Sequence, residues 1–477
     1  GWVFVPFYSR SMVYTMPEFL ERRYNPQSRT ILSVISLVSY VLTKVAVTVY
    51  AGGLVFQQVF GIKELWGIDF FWIAAIGLVV LTALYTIFGG MKSVLYTSVL
   101  QTPILLLGSL IILVLGFKEL GGWDEMMRVC GAVTVNDYGD TMTNLIRSND
   151  DANFPWLGAL IGSAIIGFWY WCTDQFIVQR VLSGKNEKEA RRGTIFGAYL
   201  KLLPVFLFLI PGMIAFALHQ KYIGAGGEGF LPMLANGTAN ADAAFPTLVA
   251  KLLPAGVKGL VVCGILAALM SSLASLFNSS AMLFTIDFYK RFRPETPEKK
   301  LVGIGQIATV VIVILGILWI PIMRSVGDVL YTYLQDVQSV LAPGIAAAFL
   351  LGICWKRTSA QGGMWGLIAG MIIGLTRLGA KVYYSNAGEV ADSTFKYLFY
   401  DMNWLFFCGW MFLFCIIVVI VVSLATEAPT AEKIQGLVFG TATKEQKAAT
   451  RASWDHWDII HTVIILAITG AFYWYFW

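Results

Sequence analysis

Trp404-Leu-Phe-Phe-Cys-Gly-Trp-Met-Phe-Leu-Phe-Cys-Ile-Ile-Val-Val-Ile-Val-Val-Ser-Leu424 runs for twenty-one residues without a charge. An α-helix rises about 1.5 Å per residue, so a run of this length crosses the hydrocarbon core of a bilayer, which is about 30 Å thick. Strands of a membrane barrel alternate polar and apolar residues over about ten positions, and neither this run nor Leu105 to Phe117 does so. The same ruler, laid along the chain, finds twelve segments near 1–20, 30–60, 66–89, 94–117, 155–179, 194–218, 259–288, 301–323, 329–355, 361–378, 403–424 and 457–477. The sequence predicts an all-α integral membrane protein.

Composition excludes the other classes. Of 477 residues, 57% are hydrophobic and 13% charged, with a mean hydropathy of +0.69. A soluble domain carries about 25% charged residues, and a disordered chain needs low hydrophobicity. The cysteines at 130, 172, 263, 354, 408 and 415 are scattered, five of them within apolar runs. They read as small buried hydrophobes, with neither a disulfide framework nor a zinc site. The net charge of +5 is spread through loops, which speaks against a nucleic-acid partner and leaves membrane lipid as the expected surroundings. No P-loop, G-x-S-x-G or H-E-x-x-H string occurs, and His219, His456 and His461 sit at segment edges. The chain is therefore not expected to be an enzyme.

Alternating the twelve segments across a membrane places twenty of the thirty-four Lys and Arg residues on one side, among them Arg22, Arg23, Arg29, Arg180, Arg191, Arg192, Lys447 and Arg451. Arg10, Lys44 and Lys201 fall within segments. By the positive-inside rule the basic side is cytoplasmic, which puts the C-terminus at Trp477 outside, in a multi-pass protein of the plasma or inner membrane. Gly1 to Tyr14 is already apolar and aromatic, so the chain is expected to open inside a helix whose earlier part is missing. The long outer loops 118–154 and 219–258 have room for short surface helices or lids. Asn236-Gly-Thr238 matches a glycosylation sequon, a short pattern that also arises by chance. The stretch Thr426 to Arg451 reads as a polar linker.

Four polar interruptions stand out within the apolar segments. Lys201, in Thr194-Ile-Phe-Gly-Ala-Tyr-Leu-Lys201-Leu-Leu-Pro204, either faces a cavity or snorkels to the headgroups. Ser271-Ser272-Leu-Ala-Ser275 either offers hydroxyls to a hard cation such as Na⁺ or lines a helix contact with small residues. Tyr331-Thr-Tyr-Leu-Gln335-Asp336-Val-Gln338 precedes Pro343-Gly344, which is either a midplane helix break of the transporter kind or a plain kink. Gly167-Phe-Trp-Tyr170-Trp171-Cys-Thr-Asp174-Gln175 is either a stacking surface for a sugar or an interfacial aromatic belt that ends on an acid. Lys44 has no polar companions and suits a helix contact. Taken jointly, the four favour a solute path.

At these residues the chain resembles the sodium/solute symporter family, in its sodium/glucose cotransporter branch. The matching strings are Tyr14-Thr-Met-Pro-Glu-Phe-Leu-Glu-Arg-Arg-Tyr24, Ile87-Phe-Gly-Gly-Met-Lys92, Trp169-Tyr-Trp-Cys-Thr-Asp-Gln175 with Val178-Gln-Arg180, Lys201-Leu-Leu-Pro204, Pro211-Gly-Met213, Ser271-Ser-Leu-Ala-Ser275, and Phe349-Leu-Leu-Gly352 with Trp355-Lys-Arg357. The resemblance implies a LeuT-type fold of two five-helix inverted repeats with flanking helices. On that plan 1–117 is the remainder of the first repeat (its second to fifth helices), 118–154 an extracellular loop, 155–355 the second repeat and 356–477 accessory helices. It further implies that Lys201, Gln335 and Trp171 hold the substrate, that Tyr170 is a thin inner gate, and that Ala268 (backbone carbonyl), Ser271 and Ser272 bind Na⁺. Ser98 stands where many relatives carry an aspartate on the ion exit path, and Ala274 lacks a hydroxyl that two-sodium members tend to have, so one Na⁺ per sugar is expected. Gly167 replaces a polar side chain of some sugar carriers.

The function so implied is sodium-coupled symport of a glucose- or galactose-like monosaccharide by alternating access, with Na⁺ as coupling ion. A carrier of myo-inositol or another polyol is the alternative within the family. A membrane sugar sensor without net transport is the alternative outside it, and a channel is opposed by the lack of a charged ring or filter repeat.

Overall fold

A computed structural model describes the chain apart from Met12, Tyr14, Ala235, Asn236, Gly327, Asp328, 388–390 and Trp477, and describes the backbone alone at 85, 87–94, 97, 100 and 324–326. The sequon's Asn236 and the terminal Trp477 thus lie outside the described residues. The helices are α1 Phe4–Ser11, α2 Met16–Arg23, α3 Pro26–Phe60, α4 Phe70–Leu120, α5 Trp123–Gly131, α6 Trp156–Thr173, α7 Gln175–Leu182, α8 Glu187–Gly224 and α9 Ala244–Leu252. They continue as α10 Ala255–Phe292, α11 Glu298–Val326, α12 Leu330–Cys354, α13 Ala360–Asn386, α14 Trp404–Ala425, α15 Lys444–Ala452 and α16 His456–Tyr475. A two-stranded hairpin, β1 Glu64–Leu65 with β2 Ile68–Asp69, precedes α4. Among the described residues ten stretches are long and apolar enough to span a membrane, and Phe70–Leu84 is a shorter apolar one.

Three expected segments take a different form. The first, near 1–20, is split into α1 and α2. Thr15 accepts a bond from the Glu18 amide at 3.2 Å and Pro17 occupies the first turn of α2, so a new helix starts there. The segments expected at 66–89 and 94–117 share one uninterrupted helical backbone, α4. Gly89-Gly90 costs about 1 kcal/mol per glycine in a helix interior, too little to force a turn. The polar linker Thr426–Arg451 is also more ordered than expected, since it holds α15, whose Thr443 and Gln446 form a capping box.

One compact unit comprises Gly1–Thr43, Asn149–Ala198 and Ser279–Gly470. Its core packs Phe7, Phe19, Leu20, Ile35, Ile165, Trp169, Val178, Phe349, Leu367 and Leu405, with Phe19 stacked on Phe349 at 5.8 Å. The close approach of α12 and α13 requires glycine: a Cβ on Gly370 would lie 2.6 Å from the Gly344 Cα. Lipid tails are as apolar as leucine, so helices in a membrane gain most from such intimate contact of small residues. At the end of α12, Tyr24 donates to the Ala348 carbonyl at 2.7 Å and Arg23 to the Gly352 carbonyl at 2.7 Å. Burial holds the Tyr24 phenol well above its ordinary pKa, so it remains a donor.

The other unit comprises Lys44–Ser148, Tyr199–Asn278 and a short stretch from Ala471. Phe56, Ile112, Met126, Ile214, Leu218, Leu248 and Val261 form its core. The long loops 118–154 and 219–258, which have room for short helices, hold α5 and α9. Here His219 accepts from the Leu231 amide at 3.0 Å and Lys251 donates to the Phe230 carbonyl at 2.7 Å, which ties the second loop to α8 and α9.

Candidate functional site

In the first unit, the aromatic cluster ends in a true helix break. Trp169–Thr173 is a π-helical turn, Asp174 is extended at φ −80° and ψ 122°, and α7 begins at Gln175. The break is supported by hydrogen bonds around it. Asp174 caps the Phe176 amide at 3.1 Å, and Tyr40 donates to the same carboxylate at 3.0 Å while accepting from that amide. Tyr8 donates to the Cys172 carbonyl, and Gln175 accepts from the Met16 amide at 2.9 Å. Tyr170 is half-buried, edge-on to Trp171 at 5.2 Å, and Trp171 is exposed.

Gln335 lies on α12, where it donates to the Tyr331 hydroxyl at 2.8 Å. Next to it, Asp336 meets Lys381 at 3.1 Å and the fully buried Arg377 at 3.5 Å. Arg377 also donates to the Met402 carbonyl at 2.7 Å and lies 4.0 Å over the Phe407 ring. The helix break expected at Pro343-Gly344 is absent: α12 is helical throughout, with Pro343 inside it.

In the second unit, Ala268, Ser271 and Ser272 stand at i, i+3 and i+4 on α10 and so share one face. The Ser98 hydroxyl of α4 is 2.5 Å from that of Ser271, so the residue expected on the ion exit path touches one of the three residues expected to bind the ion. One turn on from Ser98, Gln101 buries its side-chain oxygen without a hydrogen-bond donor. Carbonyl and hydroxyl oxygens without a formal charge suit a weakly held alkali cation. Lys201 is an exposed residue of α8, three positions before Pro204, and a π-helical turn follows at Val205–Leu209. Proline has no amide hydrogen for the Leu200 carbonyl, so the ladder slips to the wider turn.

Sequence reading missed Tyr40, which had no local signal, and the Asp336–Arg377–Lys381 cluster, whose signal was an arginine at the end of an apolar segment.

The model of the sodium:solute symporter family matches residues 1–370. The chain is 36% identical to the sodium/mannose cotransporter of Bos taurus, over 100% of this chain and 82% of the relative. The chain belongs to the sodium:solute symporter family. The symporter is 37% identical to sodium/glucose cotransporter 1 of Ovis aries, over 90% of this chain and 66% of the relative. It is 35% identical to sodium/myo-inositol cotransporter 2 of Homo sapiens, over 92% and 66%. A solved Na⁺-coupled sialic acid symporter, in a substrate-bound outward-open state, shares the fold at TM-score 0.66 and 21% identity, covering 90% of this chain and 80% of that one. The symporter is thus a multi-pass membrane protein of the LeuT-type fold that uses Na⁺ as coupling ion, and it is not an enzyme.

Proposed function

We propose that the symporter carries a monosaccharide into the cell with one Na⁺ per sugar. The observation that carries this reading is that two of the four polar interruptions coincide with departures from α-helical geometry: Tyr170 and Trp171 lie in a π turn that ends on the Asp174 break, and Lys201 lies just before another. Loosened helix turns of this kind are where membrane transporters place their solute contacts.

In this reading the Lys201 ammonium and the Gln335 amide hydrogen-bond sugar hydroxyls, and Trp171 offers an apolar wall to the ring. Tyr170 closes the inner side. Na⁺ takes the Ala268 carbonyl with the Ser271 and Ser272 hydroxyls, and Ser98 receives it on exit. Coupling follows from differential affinity: the ion favours the state in which the sugar site is formed, and the sugar then favours the ion equally. Residues 1–117 serve as the remainder of the first inverted repeat, 118–154 as an extracellular loop, 155–355 as the second repeat and 356–477 as accessory helices. The basic side is cytoplasmic and the C-terminus external.

A myo-inositol or polyol carrier is the second reading, favoured by the 35% identity to a myo-inositol cotransporter. Uptake of labelled glucose, galactose, mannose and myo-inositol into proteoliposomes, with an inward Na⁺ gradient or with K⁺ in its place, separates them. The expected result is concentrative monosaccharide uptake with Na⁺ alone, abolished in Lys201→Ala and given a higher Na⁺ requirement by Ser272→Ala. Accumulation of myo-inositol alone would move the assignment to the polyol, and sugar binding without accumulation would make the chain a sensor.

A further inference from the structure

Arg10 closes the last turn of α1, and Lys447, Thr450, Arg451 and Trp454 follow one another at i, i+3, i+4 and i+7 from α15 into the turn before α16. This spacing puts Lys447, Thr450 and Arg451 on one face of α15, with Trp454 just beyond its end. Together with Arg10 they line a cavity of about 270 Å³ whose lining holds three cations and no acid. Among the described residues, none of these cations has a carboxylate within ion-pairing distance. Arg10 spends its Nε on the Pro6 carbonyl at 2.8 Å, and Arg451 lies 3.9 Å over the Trp454 ring. Three acids near the turn are engaged elsewhere: Glu187 with Arg191 at 2.7 Å, Asp455 with Arg192 at 2.8 Å and Asp458 with Arg192 at 3.3 Å. The Thr450 hydroxyl is buried without a hydrogen-bond partner.

Three like charges around one cavity repel one another, and a hydroxyl with nothing to bond adds to the cost. An anion with several acceptor oxygens would relieve the repulsion. Guanidinium groups match phosphate oxygens in geometry as well as charge. The cavity also sits at a membrane boundary, because Trp454 lies two positions before the span His456–Tyr475 and tryptophan concentrates at that interface. We infer that this cavity binds the phosphate of an anionic membrane lipid, held by Arg10, Lys447 and Arg451. Basic pockets beside spans on the cytoplasmic side are suited to such headgroups.

The test uses the full chain in nanodiscs of phosphatidylcholine with and without phosphatidylglycerol. Lipid retained after transfer to detergent is read by native mass spectrometry, and thermal unfolding is followed in parallel. Wild type should keep phosphatidylglycerol in preference to phosphatidylcholine and unfold at a higher temperature with it. Removing the three charges, as Arg10→Gln with Lys447→Gln and Arg451→Gln, should weaken retention roughly a hundredfold and abolish the difference in unfolding temperature between the two kinds of nanodisc. Arg451→Lys should restore part of it in the otherwise wild-type chain relative to Arg451→Gln. Lys444→Gln removes the same charge from the same helix outside the cavity and should change nothing. Equal retention of both lipids would overturn the inference, as would a loss in Lys444→Gln as large as in Lys447→Gln. Stabilisation of lipid-stripped protein by inorganic phosphate, without any preference for phosphatidylglycerol, would assign the cavity to a soluble phosphate and overturn the lipid as its source.

Discussion

Two places in the first unit invite a helix to break, and only one does. At Pro343-Gly344 the sequence carries the two residues most hostile to a helix, yet α12 continues through them. At Thr173-Asp174-Gln175, none of which is a strong breaker, the helix stops and restarts. The difference lies in what surrounds each. Around Asp174 the freed groups meet Tyr40, Tyr8 and the Met16 amide, whereas around Gly344 the neighbour is the bare backbone of Gly370, which rewards a regular helix and offers no hydrogen bonds to a broken one. A break inside a membrane protein is thus decided by available partners more than by local propensity.

Substitutions can break or sharpen this contrast, each read as the thermal unfolding of the purified protein in detergent together with Na⁺-driven uptake. Gly370→Leu should have the largest effect, roughly 3 kcal/mol of destabilisation or more, because its Cβ would enter the space of the Gly344 backbone; if the variant unfolds like wild type, close packing does not keep α12 whole. Asp174→Ala should cost roughly 2–3 kcal/mol, from the lost cap and the stranded Tyr40 hydroxyl, while Asp174→Asn retains most of the stability. Tyr40→Phe should cost about 1–2 kcal/mol and lower uptake more than its stability loss explains. Pro343→Ala should change stability by under about 1 kcal/mol and leave uptake intact; a large loss of uptake there would mean that Pro343 supplies a hinge after all.

Much of the architecture was legible, because a span depends on a sum of transfer energies over about twenty residues and such sums are robust. Trp404 to Leu424 emerges as α14 with one residue added at its end. Lys201, Asp174 and the Ser271 cluster were visible as polar letters in apolar text. What could not be read was pairwise. Nothing near Tyr40 says that it will meet Asp174, 134 positions away, and nothing near Ser98 announces Ser271, 173 positions away. Which of the two alternatives at Pro343-Gly344 holds could not be read for the same reason, since the absence of a break hung on Gly370 in another helix. The extra N-terminal break came from Thr15 and Pro17, a local cap that the span ruler is too coarse to see.

The π turn at Val205–Leu209 sets a rotational phase within α8. Residues before it, Lys201 included, are turned relative to those after it by the angle that one surplus residue adds to a regular helix, about 100°. Deleting a single residue there would let the hydrogen-bond ladder close up and would swing the lysine about a quarter-turn around the helix axis, with composition, charge and hydropathy almost unchanged. Chain length at this point acts as a dial for the direction of a cation, and the side chain that terminates in it could be re-aimed without being mutated.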